Sequence, residues 1–369
     1  MQYRFSSGRN KLRRRIAEGV PAPIWVRPAI GLVVLLTGVL LAASLCIAGT
    51  GAEHPIPSAI QPESTPADAV YHLSFLVVSI DAAVFVVVFA LLVYALVRFR
   101  QRSGEPEREP PQVYGSTQIE LAWIVIPLLL VIILFLATSR VIHAVQDARK
   151  PASAVEVTAI GHQYWWEFRY PKYGVVTANE LHIPVSTSAR TMPTFLQLLS
   201  ADTDHSFWVP QLAGKTDLIP NRSNEMWIEP HEAGIYLGQC AQYCGTQHAK
   251  MLLRVSVDTP EEFSAWISAQ AKPAAAETTE AAGKRVFETT ACVNCHAIQG
   301  TTANGRFGPD LTHLMSRKTI ASGAADNTAE NLRMWIQNPD AIKPGSLMPA
   351  MKMTDPELDA LVRYLRTLR

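Results

Sequence analysis

Three long apolar runs lie within the first 150 residues of this chain, and they limit its fold more than any other feature of the sequence. They cover residues 30–48, 71–97 and 119–142. About 20 apolar residues span a bilayer as a helix, so the second and third runs predict a transmembrane helical hairpin. The first run follows a basic segment, as either a cleaved signal sequence or a first membrane helix would. Both interpretations of residues 1–52 stay open.

The distribution of positive charge predicts the orientation of the hairpin. Residues 1–29 carry seven Lys and Arg and the 98–118 loop carries four Arg, whereas the 49–70 loop carries none. Basic loops stay on the cytoplasmic side, so everything after about residue 145 should lie outside the membrane. The whole chain has 33 basic and 32 acidic residues. This balance argues against a nucleic-acid partner.

The sequence divides into a hairpin region, 53–148, and two soluble regions joined by a linker. Residues 149–270 contain short β-rich stretches separated by Gly, Pro, Asn and Asp, as in a small β-sandwich or barrel. Residues 271–282 are rich in Ala, Glu, Thr and Pro and predict a flexible linker. Residues 283–369 are helical in pattern. We therefore expect a multidomain protein with transmembrane helices, an all-β domain and an all-α domain.

The elements of the soluble regions can be placed more closely. A helix over 260–270 should close the β domain, and a Thr354–Glu357 capping box should open a last helix over 355–368. The predicted strands are Val155–Ile160, Tyr164–Tyr170, Glu180–Val185, Thr194–Leu199, Met226–Ile228, Ile235–Gly238 and Met251–Val257.

One loop of the β domain concentrates side chains that bind metals. It holds Cys240, Cys244, His248 and Met251, and His205 lies upstream. Thiolate and thioether ligands form a soft set that suits copper, and the spacing lets one short loop wrap a metal pair with each thiolate bridging both ions. A structural zinc site of two Cys and two His is the alternative, but it leaves the methionine unexplained.

Together with the hairpin, the segment Ile119–Pro127 and the segment Gly161–Trp166, this loop resembles the copper-A domain of cytochrome c oxidase subunit II. The resemblance covers about residues 71–270. It implies a cupredoxin-like Greek-key barrel with a dinuclear copper centre. The implied ligands are bridging Cys240 and Cys244, terminal His205, His248 and Met251, and the backbone carbonyl of Gln242.

Position 242 departs from the pattern of that family. The family usually has Glu there, and its carboxylate helps to hold a magnesium ion at the boundary with subunit I, whereas this chain has Gln242. A backbone carbonyl survives a change of side chain, so the copper site should stand. A neutral amide is a weaker ligand for a hard cation, so a magnesium site is in doubt.

The last region carries the attachment pattern of haem c, Cys292-Val-Asn-Cys295-His296. The two Cys can form thioethers to the haem, and His296 is placed for the iron. Ligation by Met and His is usual in cytochromes c. We expect Met348, in a loop before the last helix, to be the distal ligand; Met351 and Met353 compete with it. The region resembles a class I cytochrome c domain.

The combination of the two domains resembles subunit II of bacterial caa-type oxidases. It implies an electron-input subunit that takes electrons from cytochrome c or another donor. They would pass through haem c and copper A to the haem a and haem–copper centre of subunit I, with subunit III as a further partner. The implied location is the bacterial inner membrane, multi-pass, with both soluble domains on the periplasmic or extracellular side. The alternatives are the same module feeding a nitric oxide reductase, and a membrane-tethered electron carrier.

Three further positions bear on protons and electrons. Glu120, near the cytoplasmic start of the second hairpin helix, either stabilises that helix terminus or, as the resemblance implies, lies at the entrance of a proton channel. Asp81 is deep in the first hairpin helix, where an acid indicates function or a helix–helix hydrogen bond. Tyr164 stands where the family has a Trp that receives electrons from a soluble donor. A tethered haem domain would make that route unnecessary, and its contact with the copper domain could be small and transient.

Overall fold

The computed structural model describes residues 57–100, 115–274 and 280–369. The first apolar run and most of the arginine-rich loop lie outside these residues. Within them, eight α-helices are present. They are α1 (Thr65–Arg98), α2 (Thr117–Gln146), α3 (Pro260–Gln270), α4 (Ala281–Thr289), α5 (Cys292–Cys295), α6 (Ala329–Gln337), α7 (Pro339–Ile342) and α8 (Asp355–Leu365).

Helices α1 and α2 form the predicted hairpin, and both are long and apolar enough to cross a membrane. Their Leu, Val, Ile and Phe side chains face outward, and only Pro66 and Ala67 of α1 are buried. Such a surface is stable only against lipid or other apolar segments. The outer end of each helix is attached to the β domain. The Thr65 amide donates to Glu229 O at 3.2 Å, and Trp227 Nε1 donates to Val145 O at 2.7 Å.

The β domain consists of two five-stranded sheets, with strand orders β3-β2-β1-β5-β8 and β4-β10-β9-β6-β7. Pairs β1–β5 and β4–β10 are parallel and the other pairs are antiparallel. The strands are β1 (Val155–His162), β2 (Trp165–Tyr170), β3 (Val175–Ala178), β4 (Glu180–Pro184), β5 (Thr194–Ser200), β6 (His205–Trp208), β7 (Thr216–Leu218), β8 (Asn224–Ile228), β9 (Gly234–Cys240) and β10 (Leu252–Asp258).

Side chains from both sheets meet in one apolar core, which gives the predicted cupredoxin-like domain. Strand β10 illustrates the cause: Leu253, Val255 and Val257 are buried and their neighbours are half-exposed, because alternate side chains of a strand point to opposite faces. The capping box of Thr259 with Glu262 starts α3, which covers one end of this core with Phe263.

The C-terminal region has a second, separate core built by α4, α6 and α8. Leu332 and Ile336 of α6 are buried on one face, as their spacing predicts. The capping box of Thr354 with Glu357 is present at the start of α8. A two-stranded hairpin, β11 (Thr319–Ile320) and β12 (Ala325–Asp326), extends from this domain. The predicted helical domain is confirmed.

Two details of the sequence-based description were wrong. It missed β3, β6 and β7, which are short, and β6 buries three consecutive residues, so it lacks alternation. The flexible linker over 271–282 is also incorrect at both ends. The carbonyl of Lys272 accepts a hydrogen bond from His313 at 2.9 Å, and helix α4 already begins at Ala281.

Candidate functional site

Three of the predicted metal ligands meet in a buried cluster. His205 begins β6, Cys240 ends β9, and Cys244 lies in the loop that follows; their ligand atoms all lie within 4.8 Å of one another. Strands β6 and β9 are antiparallel neighbours, with Phe207 opposite Cys240. The sheet pairing therefore brings His205 to a loop 35 residues away along the chain.

The other three predicted ligands surround the same two sulfur atoms. The two Sγ atoms are 3.9 Å apart, and the Gln242 carbonyl oxygen is 3.2 Å from Cys240 Sγ. On the Cys244 side, His248 Nδ1 is at 3.7 Å and Met251 Sδ is at 3.8 Å. Two central sulfurs with nitrogen, oxygen and thioether donors around them can hold a soft metal pair.

Neighbouring groups orient the ligands. His205 Nε2 is 2.8 Å from Asp202 Oδ1, which leaves Nδ1 directed at Cys240 Sγ at 3.9 Å. A hydrogen bond of this kind fixes the tautomer of a metal-binding His. Burial lowers the pKa of His205, but its hydrogen bonds to Asp202 and Cys240 and the negative charges of these two groups together outweigh burial, and the pKa is raised. The hydrogen bond from the Cys244 thiol lowers the pKa of Cys240, so this cluster readily holds a thiolate.

Close packing fixes the loop from the side of the Gly161–Trp166 segment. A Cβ atom at Gly161 would lie 2.8 Å from the His205 ring, so only glycine lets the ring take this position. Gln163 Nε2 donates to Cys244 O at 2.6 Å, and the Thr246 amide donates to the Tyr164 hydroxyl at 3.2 Å. Residues 161–164 thus support the ligand loop directly.

The second site is a cavity of about 390 Å³ that Cys292, Cys295 and His296 line. The Cys pair lies on the single turn of α5, and His296 follows at its end. His296 Nδ1 donates to Pro309 O at 2.7 Å, which leaves Nε2 free to bind a metal. Burial lowers the pKa of this imidazole, which favours the neutral form that a metal requires.

The candidate distal ligands differ in position. Met348 and Met351 line the cavity, whereas Met353 packs against the domain core without lining it. The geometry therefore favours Met348 or Met351 and places Met353 outside the cavity wall.

Arg317 is a wall residue of this cavity that sequence reasoning missed. Its side chain is buried, and one Nη donates to Asp310 O. Its Nε has no hydrogen-bond partner among the described residues, although a buried N–H group normally has one. The cavity has apolar walls that also carry thiols, an imidazole, a thioether and one unpaired guanidinium N–H. This lining fits an apolar macrocycle that carries carboxylates.

The acids of the membrane helices lie apart from both sites. Glu120 is in the first turn of α2 and Asp81 is in the middle of α1, and both are exposed on the surface of the described residues. Sequence reasoning also missed Asp202, although it lies only three residues before His205. It missed Glu180 and Lys343 as well, whose contacts reach the other domain, 138 and 179 residues away along the chain. No local pattern marks them.

Comparisons with known proteins cover most of the chain. Residues 54–140 match the family described as the transmembrane domain of cytochrome c oxidase subunit II, and residues 155–257 match the periplasmic domain of that subunit. Residues 280–369 match the cytochrome c family.

Two curated relatives align over nearly their whole length. A protein of Alkalihalophilus pseudofirmus named cytochrome c oxidase subunit 2 is 35% identical over 319 residues, which are 85% of this chain and 91% of the relative. A Bacillus subtilis protein of the same name is 32% identical over 351 residues, covering 90% of this chain and 97% of the relative.

Proposed function

This chain belongs to the cytochrome c oxidase subunit II family and carries a C-terminal cytochrome c domain, and on that premise we propose how its residues hold the redox groups. It is a membrane protein with an extracytoplasmic domain, and it acts as the electron-input subunit of a haem–copper oxidase. We assign a dinuclear copper-A centre to the β domain and one covalent haem c to the C-terminal domain. Copper and haem supply one-electron chemistry when bound.

The copper assignment rests on the donor arrangement. Cys240 and Cys244 would bridge the two ions, because their sulfurs are 3.9 Å apart at the centre of the cluster. His205, His248 and Met251 would be terminal ligands, and Gln242 would contribute its backbone carbonyl. A structural zinc site takes four ligands, which would leave two of these six donors without a role.

The haem assignment rests on the cavity. Cys292 and Cys295 would form the thioether bonds, and His296 would bind iron through Nε2, which the hydrogen bond to Pro309 leaves free. Met348 would be the distal ligand, and Met351 is its competitor. Arg317 would donate its unpaired N–H to a haem carboxylate, since charge-assisted hydrogen bonds of this kind are strong.

The partners and location follow from the same assignment. Subunit I would receive electrons from the copper site, subunit III would complete the complex, and cytochrome c or another upstream protein would be the donor. The charge distribution supports an orientation with both soluble domains on the outer face, and we place the chain in a bacterial inner membrane. Glu120 would lie at a proton entrance on the cytoplasmic side. The amide of Gln242 disfavours a magnesium ion at the boundary with subunit I.

The observation that carries the copper proposal is the pair of sulfurs with ligands on both sides, and spectroscopy of the purified oxidase tests it. Cys244→Ser should abolish the mixed-valence signal of a dinuclear centre, because a hydroxyl is a poor replacement for a soft bridging thiolate. Gln242→Ala is the matched control in the same loop, and it should keep the signal because the carbonyl remains. A wild-type subunit that contains one zinc and no copper would refute the proposal.

A further inference from the structure

Two buried polar side chains connect the β domain (residues 149–270), called the copper domain below, with the C-terminal domain, called the cytochrome domain. One side chain comes from each domain. Glu180 of the copper domain is 5% exposed, and Lys343 of the cytochrome domain is 3% exposed. Side chains of these types are rarely so buried unless they have partners. In each case the partners include backbone groups of the other domain.

Glu180, the first residue of β4, accepts hydrogen bonds from three groups of the cytochrome domain. The amides of Lys318 and Thr319 donate to its carboxylate at 2.8–3.0 Å, and the Thr319 hydroxyl donates at 2.8 Å. Hydrogen bonds to an ionised acceptor are stronger than those between neutral groups. Glu180 therefore fixes the start of the β11–β12 hairpin on the copper domain.

Lys343 makes the reciprocal contact. Its Nζ donates to Tyr164 O of the copper domain at 2.7 Å and to Ala321 O at 3.3 Å. Burial lowers the pKa of Lys343 to about 7. Both the amine and the ammonium have enough N–H groups to donate to the two carbonyls, so the contact is available in either protonation state.

The tip of the β11–β12 hairpin adds a third contact. The Ser322 hydroxyl donates to Leu252 O at 2.7 Å, and the Leu252 amide donates to Ser322 O at 3.3 Å. Ala321 and Ser322 have φ values of +53° and +61°, a conformation that costs free energy for residues other than glycine and persists only where the surroundings hold it. Here the copper domain provides those surroundings, and Leu252 directly follows the candidate ligand Met251.

The chain between the domains is fixed at its beginning as well. His313 Nε2 lies 3.1 Å from Gln270 O and 2.9 Å from Lys272 O, and Gln270 Nε2 donates to Ser316 Oγ at 3.2 Å. The end of α3 is therefore attached to the cytochrome domain. Residues 270–272 are therefore not part of a freely moving tether.

We propose that Glu180 and Lys343 form an interdomain lock that holds the cytochrome domain in one docked arrangement on the copper domain. The consequence for electron transfer rests on the proposed function. Tyr164 lines the haem cavity and contacts the ligand loop through Thr246, and Lys250 of that loop donates to Ile342 O at 2.9 Å. The lock thus keeps the two redox sites adjacent, and Glu180 and Lys343 are positioning residues.

Hydrogen exchange of the purified oxidase measures this lock without relying on activity. Undocking exposes the amides of Thr319 and Leu252, so their exchange rates report how often the domains separate. Lys343→Met and Glu180→Gln should each raise these rates by about tenfold or more, because each change removes hydrogen bonds with buried partners. Lys352→Met and Glu225→Gln, which alter exposed side chains, are the matched controls and should leave the rates unchanged.

A second measurement tests the effect on electron transfer. We would double the eight-residue linker between Lys272 and helix α4 by inserting eight Gly and Ser residues within 275–279, and follow the rate of electron transfer from haem to copper. With the lock intact the rate should not change. In a Glu180→Gln, Lys343→Met double variant it should fall by about threefold on insertion, because effective concentration falls with the 3/2 power of linker length.

Unchanged exchange at Thr319 and Leu252 in both variants would overturn the lock, and so would an equal rise in the controls. A rate that falls with linker length in the otherwise unchanged protein would also overturn it. Haem absorbance and copper content are measured on every sample. Their absence from the unaltered protein would refute the proposed function, whereas the exchange experiment would still decide on the lock.

Discussion

A methyl group added at Gly161 should weaken both the β domain and its copper site. The Cβ of Gly161→Ala would lie 2.8, 2.9 and 3.1 Å from three carbons of His205, whereas carbon atoms in contact normally lie about 3.5–4.0 Å apart. The ring is completely buried, bonded to Asp202 at 2.8 Å and packed edge-on against Trp166. A displaced ring would lose these contacts.

The expected cost follows from this overlap. Inserting a methyl group into a filled core lowers the free energy of unfolding by about 1–3 kcal/mol. This loss of stability should speed amide hydrogen exchange in β1 and β6 by roughly 5- to 150-fold. Displacing the ring also disturbs a proposed metal ligand, and such changes reduce metal affinity by about 10–100-fold. Exchange rates and a chelator titration of the purified oxidase measure the two effects.

The matched control is Gly214→Ala, because a Cβ at Gly214 has no atom within 4 Å. It should behave like the unaltered protein in both assays. If Gly161→Ala retains copper as well as Gly214→Ala does, and exchanges at the same rate, the packing argument for His205 is incorrect.

Three further predictions concern the haem ligand, the proton path and the fused domain. Met348→Leu should abolish the optical signature of methionine-ligated haem, while Met351→Leu keeps it; the opposite result would exchange their roles. Glu120→Gln should slow oxidase turnover and leave the copper and haem spectra intact, and normal turnover would exclude a role in proton uptake. A chain truncated after Gln270 should keep its copper signal, since the two domains have separate cores, but should lose most activity with the natural donor. Full activity would mean that the donor reaches copper directly.

The family resemblance explains why the buried contact between the two soluble domains was the least predictable feature of the structure. A soluble donor must find its docking surface by diffusion, so a tether alone could replace that surface. The structure instead has buried contacts at Glu180 and Lys343. The hydrogen bonds of Glu180 join residues 138 and 139 positions apart, and that of Lys343 to Tyr164 spans 179 positions. Neither side chain belongs to a motif.

The sequence by itself determined the membrane hairpin and the Thr354 helix cap, and it indicated the candidate ligand sets. These features are local: an apolar run, a Thr–Glu pair three residues apart, or Cys and His residues on one short loop carry their own physical signal. Tertiary structure alone decided that Arg317 lines the haem cavity and that Glu180 and Lys343 join the domains. Those contacts depend on which strands pair and which surfaces meet, and the free energy of burying a polar group is set by partners that only the folded chain brings together.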